Sequence, residues 1–330
     1  MTRDLFVATG SAAAEAELVS EYLVRSNLCG VDSHGVIRLM EYVDQIEKGT
    51  LHPNVQPKVV SDRGATARLD ARFGYGQVST KVAMELAVSK ARQLGTGTVT
   101  VTNGNHAGRM AEYPLIAARE DMIGITMVKA YGSIVAPWGA RQRLLSTSPL
   151  SFAIPAKRNP PVVGDFATSA SAEGKVRVRY ARGEKIPLGW VLDADGRPSE
   201  NPGDLYSGGA LLTFGQHKGY ALNLLMEAAG GALSGAGVLT EFSGLNGVLV
   251  QAIDIASFSD VDEFKGRIDY LVERARASSP SEGVDEVLIP GDPEARESAL
   301  RTRDGIPIEE KTWNAIVRVA AKYGVRTPSS

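Results

Sequence analysis

The chain has 330 residues, with 36 basic and 38 acidic side chains and a formal net charge of −2 at pH 7. Apolar residues make up 43% and charged residues 22%, which is typical of a folded globular protein and excludes a disordered chain. The near balance of charge gives no reason to expect nucleic acid or an anionic membrane as a partner. The single cysteine, Cys29, excludes an internal disulfide and favours a reducing, cytoplasmic compartment.

The first part of the chain is predicted to be helical. Apolar residues recur at helical spacing over 12–27, where Ser11 is a suitable N-cap. A second helical stretch follows residues 32–35 and ends at Gly49. No signal-peptide core opens the chain, and no apolar run reaches the roughly 18 residues of a membrane span.

From about residue 59 the pattern changes to short strands alternating with helices. Predicted strands cover 59–60, 66–70, 98–102, 123–128, 247–255 and 287–289, and predicted helices cover 84–94, 221–233, 262–277 and a last one that Pro307 initiates. Residues 183–202 are dense in turn signals and predict a long irregular loop. The almost wholly apolar stretch 221–233 predicts a buried helix or an oligomer contact. This order predicts an α/β (α+β) fold with a sheet and flanking helices.

Histidine is the side chain best suited to proton transfer near neutral pH, and the chain has only four. His34, His106 and His217 each lie in a glycine-containing loop beside a predicted helix start, whereas His52 is predicted to be a surface residue. His106 is the strongest candidate because it follows the predicted strand 98–102, and ligands bind at the carboxyl ends of strands in α/β proteins. The alternative for each is a histidine that only hydrogen-bonds its own turn.

Ser33, His34 and Arg38 form a second candidate group. A four-residue step places His34 and Arg38 on one face of a helix. Arginine can hold a carboxylate through two parallel hydrogen bonds, which lysine does less well. The alternative is that Arg38 only pairs with Glu41 or Asp44, as exposed residues commonly do.

A third candidate is the glycine-flanked segment 215–219, which contains Lys218 and opens the apolar helix. Free backbone N–H groups at a helix start, together with a lysine, suit an anion such as a pyrophosphate. The chain has no Walker loop and no Gly-x-Gly-x-x-Gly after a strand, so a Rossmann dinucleotide site is not supported.

A mixed metal site of His34, His106, His217 and Asp165 is an alternative to proton transfer. No two histidines have the short spacing that builds such a site on one element, so the prediction is that no metal is bound. Serine hydrolase chemistry is weaker still, because no Gly-x-Ser-x-Gly elbow occurs.

Seven short segments, spread over nearly the whole chain, carry a resemblance to a known family. They are Asp32–Arg38, Asn103–His106, Ala136–Gly139, Asp165–Ser169, Ile186–Trp190, His217–Tyr220 and Pro290–Asp292. In this order they resemble the type-2 malate/L-lactate dehydrogenase family, which includes ureidoglycolate dehydrogenases, diketogulonate reductases and cyclic imino-acid reductases.

The resemblance implies a homodimer with a nicotinamide site, for NAD or NADP, that is not of the Rossmann type. It also implies a helical substrate and dimerisation domain, formed by residues 1–72 with 294–330. This domain would pack on an α/β cofactor domain of residues 73–293, with the active site at the domain and subunit boundary.

The resemblance also implies roles for individual residues. The family's proton-transferring histidine falls on His106, and its substrate-side serine, histidine and arginine fall on Ser33, His34 and Arg38. The implied cofactor contacts are Asp165, Phe166, Ala167, Lys218, Gly291, Asp292, Lys129 and Ala130, with a further stretch around Arg267–Asp269.

The implied activity is hydride transfer between NAD(P) and a small 2-hydroxy acid, or reduction of the matching 2-keto acid. The chain departs from the family at 129–132, where relatives have an Asn- or Ser-rich turn and this chain has Lys129-Ala130-Tyr131-Gly132. A lysine and a tyrosine beside the cofactor pocket predict a substrate unlike malate. The alternatives are an NADPH-dependent cyclic imino-acid reductase, a metal-dependent hydrolase and a non-catalytic relative that binds nucleotide.

Overall fold

The computed structural model describes residues 1–240 and 245–327. Residues 241–244 of the predicted cofactor domain and 328–330 of the predicted helical domain therefore lie outside the described residues. The helices are α1 (Thr2–Ala8), α2 (Ala13–Leu28), α3 (Leu39–Glu47), α4 (Gly76–Leu94), α5 (Pro114–Ala118), α6 (Glu173–Arg182), α7 (His217–Met226), α8 (Val261–Arg276), α9 (Asp292–Asp304) and α10 (Glu310–Lys322). The strands are β1 (Lys58–Arg63), β2 (Thr66–Asp70), β3 (Thr96–Gly104), β4 (Met122–Lys129), β5 (Leu150–Ile154), β6 (Val162–Phe166), β7 (Val191–Leu192), β8 (Pro198–Ser199), β9 (Ala210–Leu211) and β10 (Asn246–Asp254).

A seven-stranded sheet in the order β1-β2-β3-β10-β4-β5-β6 forms the centre of the molecule. Only β2 and β3 pair in parallel, and the other neighbours pair antiparallel. Helices flank this sheet, so the predicted α/β (α+β) fold class is confirmed. α4 lies so close to β3 that a Cβ on Gly97 would clash with the carbonyl oxygen of Ala87.

Two large apolar cores hold the structure together. One lies between the sheet and α4–α5, and it includes Met84, Val99, Val101, Tyr113 and Val250. The other joins helices from both chain ends, and it includes Phe6, Leu23, Tyr42, Ile316 and Ala320. The shared second core supports the predicted helical unit. β1 and β2, although within residues 1–72, hydrogen-bond into the large sheet, and the domain division itself stays a prediction.

Several local predictions need correction. The predicted irregular loop 183–202 contains β7 and β8, which join β9 in a small three-stranded sheet. The predicted strand 287–289 is wrong, because these residues do not pair with any described strand. The next residue, Pro290, accepts a single hydrogen bond from the N–H of Val163 in β6, at 3.1 Å. Ser11 does not cap α2, since its hydroxyl bonds the hydroxyl of Tyr75 at 2.9 Å instead.

The predicted apolar helix 221–233 is real but begins earlier, as α7, and continues as a π-helical turn over Glu227–Ala232. Three of its leucines are exposed rather than buried, namely Leu224, Leu225 and Leu233. Complete burial within one chain is therefore wrong for this segment, and the oligomer contact stays a prediction. Across the described residues, every helix is too short or too polar to cross a membrane.

Candidate active site

The candidate site begins where β3 ends. The chain leaves Gly104 and enters a loop in which Asn105 donates a side-chain hydrogen bond to the carbonyl of Phe73, at 2.7 Å. A Cβ on Gly76, the first residue of α4, would clash with the carbonyl oxygen of Asn105. The loop that carries His106 is therefore fixed between the sheet and the start of α4.

His106 has a buried polar partner on α3. Its Nδ1 lies 2.7 Å from the hydroxyl of Tyr42, and that hydroxyl also accepts a hydrogen bond from Gln77 Nε2 at 2.7 Å. Tyr42 and Gln77 are fully buried, and Gln77 Oε1 has no partner among the residues that the structure describes. Since Tyr42 occupies Nδ1, Nε2 is the nitrogen of His106 that remains for a ligand.

His34 lies beside His106, with 5.2 Å between the ring centroids. The hydroxyl of Ser33 bonds Nδ1 of His34 at 2.9 Å, so Nε2 is again the free nitrogen. The start of α6 lies against Ser33, because a Cβ on Gly174 would lie 3.1 Å from the Cβ of Ser33. The structure thus brings together two of the three histidines that the sequence singled out.

Both histidines are held neutral. Burial, and then the positive charges of Arg38 and Arg109, lower the pKa of His34 to about 4. Burial, and then Arg38 and His34, lower the pKa of His106 well below its usual value. A neutral imidazole accepts a proton at one nitrogen and donates one at the other, as a proton-transfer site requires.

Arg38 lies on the same side of the site, at the start of α3. Its Nε donates to the carbonyl of Ser33 at 2.7 Å, and its Nη1 donates to Glu41 at 2.6 Å. The predicted group of Ser33, His34 and Arg38 is therefore assembled, and the predicted alternative pairing with Glu41 is also present. Nη2 is the nitrogen of Arg38 that makes neither of these contacts, so both of its N–H groups are left for a ligand.

Tyr131 connects this arginine to the loop of His106. Its hydroxyl donates to Glu41 Oε1 at 3.1 Å, and its backbone N–H donates to the side chain of Asn246 at 3.1 Å. Asn246 in turn donates to the carbonyl of Asn105, at 3.4 Å. Burial, and then the charge of Glu41, raise the pKa of Tyr131, which keeps its hydroxyl protonated.

The residues implied as cofactor contacts gather around the end of β6. Thr168 accepts from the N–H of Phe214 at 3.0 Å, and a Cβ on Gly219 would clash with the carbonyl of Phe214. This packing brings the segment after β6 against the start of α7, where Lys218 is exposed. Phe166 is 38% exposed and packs edge-on against Phe214, with 5.8 Å between centroids.

The turn after β4 reaches the same place. The N–H of Ala130 donates to the hydroxyl of Ser148 at 3.4 Å, and the carbonyl of Ser148 accepts from the hydroxyl of Thr168 at 3.0 Å. Lys129 faces inward and is 1% exposed. Burial lowers its pKa, and the charge of Glu227 opposes this.

The remaining implied contacts lie further along β6. The Gly291–Asp292 turn follows Pro290, which bonds Val163 of β6, and Asp292 pairs with Arg276 at 2.9 Å. Asp269 is buried and accepts the backbone N–H of Arg158 at 2.9 Å. This contact ties α8 to the loop after β5.

Asp165 faces a buried charged network rather than open solvent. It accepts the N–H of Ala111 at 2.9 Å and lies 4.0 Å from Arg109, which pairs with Glu112 at 3.0 Å. Burial raises the pKa of Asp165 to about 6, although Arg109 and the N–H of Ala111 oppose the rise. Arg109 also donates to the sulfur of Cys29 at 3.4 Å.

The other two histidines lie elsewhere. His217 is exposed at the start of α7, and His52 bonds the carbonyl of Gly49 and packs on Phe73. Over residues 1–240 and 245–327, no group of three His, Cys, Asp or Glu side chains is arranged to hold a metal ion.

Sequence reasoning missed several residues of the site. Tyr42 counted only as an apolar face residue, although it stands four positions after Arg38, one turn along the same helix. Gln77, Asn246 and Arg109 carry no pattern of their own, since each acquires its partner through chain segments distant in sequence.

The malate/L-lactate dehydrogenase family model matches residues 1–317. A malate dehydrogenase of Pyrococcus abyssi is 35% identical over 332 residues, covering 96% of this chain and 91% of that protein.

Solved structures agree with that match. The malate dehydrogenase of Entamoeba histolytica has a TM-score of 0.94 at 28% identity, covering 99% of this chain and 96% of that one. The delta1-piperideine-2-carboxylate reductase of Pseudomonas syringae pvar. tomato has a TM-score of 0.86 at 29% identity, covering 97% and 96%.

The fold and site thus define an oxidoreductase of the dehydrogenase class. The chain belongs to the malate/L-lactate dehydrogenase family.

Proposed function

We propose that the chain transfers a hydride between NAD(P) and a small 2-hydroxy acid or its 2-oxo acid, with His106 as the proton acceptor and donor. The observation that carries this proposal is the hydrogen bond between His106 Nδ1 and Tyr42, at 2.7 Å. It ties one ring nitrogen to a buried partner and leaves Nε2 to face the substrate oxygen.

The Tyr42–Gln77 pair supports both tautomers of neutral His106. An amide offers both a donor and an acceptor, and Gln77 Oε1 is buried without a partner. When Gln77 donates to Tyr42, the tyrosine donates to Nδ1, and Nε2–H of neutral His106 can donate to a 2-oxo oxygen. When the amide is reversed, Nδ1–H donates to Tyr42, and Nε2 can accept the proton of a 2-hydroxy group, which makes His106 an imidazolium. In the reduction direction the same imidazolium returns that proton from Nε2 to the substrate oxygen.

Arg38, His34 and Ser33 orient the substrate in this proposal. Nη2 of Arg38 holds the carboxylate at C1, because Nε and Nη1 already donate to Ser33 and Glu41. His34, fixed by Ser33 and held neutral, donates from Nε2 on the substrate side. Holding the substrate at these two points places its oxygen at His106, which is a positioning contribution to catalysis.

The residues around the end of β6 fit a nicotinamide dinucleotide. The exposed Lys218 suits a phosphate group, and the exposed ring of Phe166 suits a planar ring. The remaining proposed contacts are Asp165, Ala167, Gly291, Asp292, Lys129 and Ala130. When bound, NAD or NADP supplies or accepts the hydride, and the protein contributes position and proton transfer.

Reduction of a cyclic imino acid is the second candidate function. It is supported by the similarity to the delta1-piperideine-2-carboxylate reductase. The same His106 would then exchange a proton with nitrogen instead of oxygen, while Arg38 would still hold the carboxylate.

A homodimer and a cytoplasmic location belong to the proposal as well. The exposed leucines Leu224, Leu225 and Leu233 support a contact between two copies of the chain. The single Cys29 supports a reducing compartment.

The test is a direct assay of NAD(P)H absorbance with the wild type and with His106→Asn. NADH and NADPH are each combined with pyruvate, oxaloacetate, another 2-oxo acid and a cyclic imino acid. We expect turnover with at least one 2-oxo acid and a loss of roughly 10²–10⁴-fold in kcat for the variant. Near-normal kcat in His106→Asn contradicts the role of His106, and turnover of the imino acid alone favours the second candidate.

A further inference from the structure

We propose that Glu41 makes this site selective for substrates that carry one carboxylate, because Glu41 shares the guanidinium of Arg38 with the substrate. The inference rests on the proposed function and names the substrate class of that same site. It predicts 2-oxo and 2-hydroxy monocarboxylates in preference to dicarboxylates.

Two of the three guanidinium nitrogens of Arg38 already donate hydrogen bonds within the chain. Nε is bonded to the carbonyl of Ser33 at 2.7 Å, and Nη1 to Glu41 Oε2 at 2.6 Å. A substrate carboxylate on Nη2 therefore lies across the same guanidinium from the carboxylate of Glu41. One positive charge then faces two negative charges, before any second carboxylate of the substrate is added.

Hydrogen bonds to both carboxylate oxygens hold Glu41 in this position. While Oε2 bonds Arg38, Oε1 accepts the hydroxyl of Tyr131 at 3.1 Å. Tyr131 is itself anchored by its backbone N–H on Asn246, at 3.1 Å. Tyr131 is thus a positioning residue that acts through Glu41, and it stands in the turn where the chain departs from its relatives.

Two other cations near the site, Arg109 and Lys129, each face an acid. Arg109 pairs with Glu112 at 3.0 Å and lies 4.0 Å from Asp165. Lys129 is buried and interacts with the charge of Glu227. A second carboxylate on the substrate therefore meets the charge of Glu41 while these cations are already engaged.

The experiment compares kcat/KM for pyruvate and oxaloacetate in the wild type, Glu41→Gln and Asp44→Asn. Gln keeps the shape of Glu41 and removes its charge. Its amide oxygen can still accept from Arg38, and its amide N–H then donates to the hydroxyl of Tyr131. Asp44 is an exposed residue of the same helix that pairs with Lys48 at 2.7 Å, so its substitution is a control for a general change in charge. We expect Glu41→Gln to raise the oxaloacetate-to-pyruvate ratio of kcat/KM by roughly tenfold, through KM, and Asp44→Asn to leave the ratio unchanged.

A second variant tests the positioning role. Tyr131→Phe keeps the ring and removes the hydrogen bond to Glu41. We expect the ratio to move in the same direction by roughly two- to threefold, in KM and not in kcat. An unchanged ratio, or an equal fall in kcat for both substrates, overturns the role of Tyr131.

An unchanged ratio in Glu41→Gln overturns the proposal, and so does a wild type that prefers oxaloacetate. In the latter case a cation such as the exposed Lys175 on α6 would govern selectivity. If the wild type reduces no 2-oxo acid at all, the proposed function fails. The effect of the charge of Glu41 is then tested by calorimetry with oxamate, which carries one carboxylate, and tartronate, which carries two. Tighter tartronate binding relative to oxamate in Glu41→Gln supports it, whereas an unchanged ratio or binding of neither ligand overturns it.

Discussion

The hydroxyl of Tyr42 lies 2.7 Å from Nδ1 of His106 and joins a helix of the N-terminal half to the loop after a central strand. This bond crosses the boundary between the helical core, which contains Tyr42, and the sheet that carries His106. The packing of the helical core against the sheet therefore determines which nitrogen of His106 is left for the substrate. Substitutions where the core meets the sheet should affect catalysis.

Replacement of Tyr42 by Phe is the first test of that relationship. It removes the partner of Nδ1 but keeps the ring in the core, so we expect kcat to fall roughly tenfold or more and its pH profile to shift. Tyr75→Phe is the matched control, because Tyr75 lies in the same core and bonds Ser11 at 2.9 Å instead of a histidine. It should cost about 1 kcal/mol of stability and leave the pH profile of kcat unchanged. Equal pH profiles in the two variants would contradict the role of Tyr42 as the partner of His106.

Lys218 provides a test of the cofactor site. Lys218→Gln removes an exposed cation at the start of α7, so we expect the affinity for NAD(P)H to fall about tenfold and to depend less on salt. Lys81→Gln removes a cation that pairs with Glu85 on α4, and it should not alter nucleotide binding. Fluorescence titration of NAD(P)H checks both. Equal affinities in the wild type and Lys218→Gln would remove Lys218 from the site.

Asp165 predicts a pH-dependent stability with a defined sign. Its pKa is raised from 3.8 to about 6 in the folded chain. Its stabilising contribution is therefore present below pH 3.8 and is lost as pH rises through about 6. Asp165→Asn has no such loss, so the variant should gain stability relative to the wild type on going from acidic to neutral pH, by about 3 kcal/mol at most.

Urea unfolding of both proteins on either side of that pH range measures the difference. Asp262→Asn is the control, because Asp262 is an exposed residue that pairs with Lys157 at 3.0 Å. Asp165→Asn and the wild type could instead differ in free energy of unfolding by the same amount at every pH. That result would show that burial does not destabilise the charged form of Asp165.

Two glycines give opposite predictions for stability. Gly97→Ala forces a Cβ against the carbonyl of Ala87, where α4 packs on β3, so we expect a loss of about 1–3 kcal/mol or more. Gly266→Ala lies in the interior of α8 with nothing within 4 Å of the new Cβ, and it should stabilise by about 0.5–1 kcal/mol. Thermal unfolding measures both, and similar melting temperatures would contradict the close approach at Gly97.

Strands and helices with a strong pattern could be predicted from the sequence. The β-branched run 98–102 lies inside β3, and the helix over 262–277 matches α8 within one residue at each end. α9 escaped prediction because none of its residues is buried, so it has no apolar stripe to detect. The predicted strand 287–289 failed because an apolar triplet does not specify whether a neighbouring strand pairs with it.

The candidate site was predictable as a set of residue types but not as an arrangement. Ser33, His34 and Arg38 are close in sequence, which is enough to group them. The predicted helical step from His34 to Arg38 is wrong, because Gly35 is extended between two short 3-10 turns, and the hydrogen bond from Arg38 to the carbonyl of Ser33 joins the group instead. Their proximity to His106, and the links from Glu41 to Tyr131 and on to Asn246, join segments far apart in the chain. Such contacts depend on how the cores pack, which local patterns do not encode.

The most direct test of the central claim is the transfer of deuterium to product. NAD(P)H that carries deuterium at both C4 positions of the nicotinamide, so that either face delivers the label, is incubated with the wild type and the 2-oxo acid that gives turnover, and the product is analysed by mass spectrometry. The expected product is a 2-hydroxy acid with one deuterium at C2. A product without deuterium, or no consumption of NADH or NADPH with any 2-oxo acid, would contradict it.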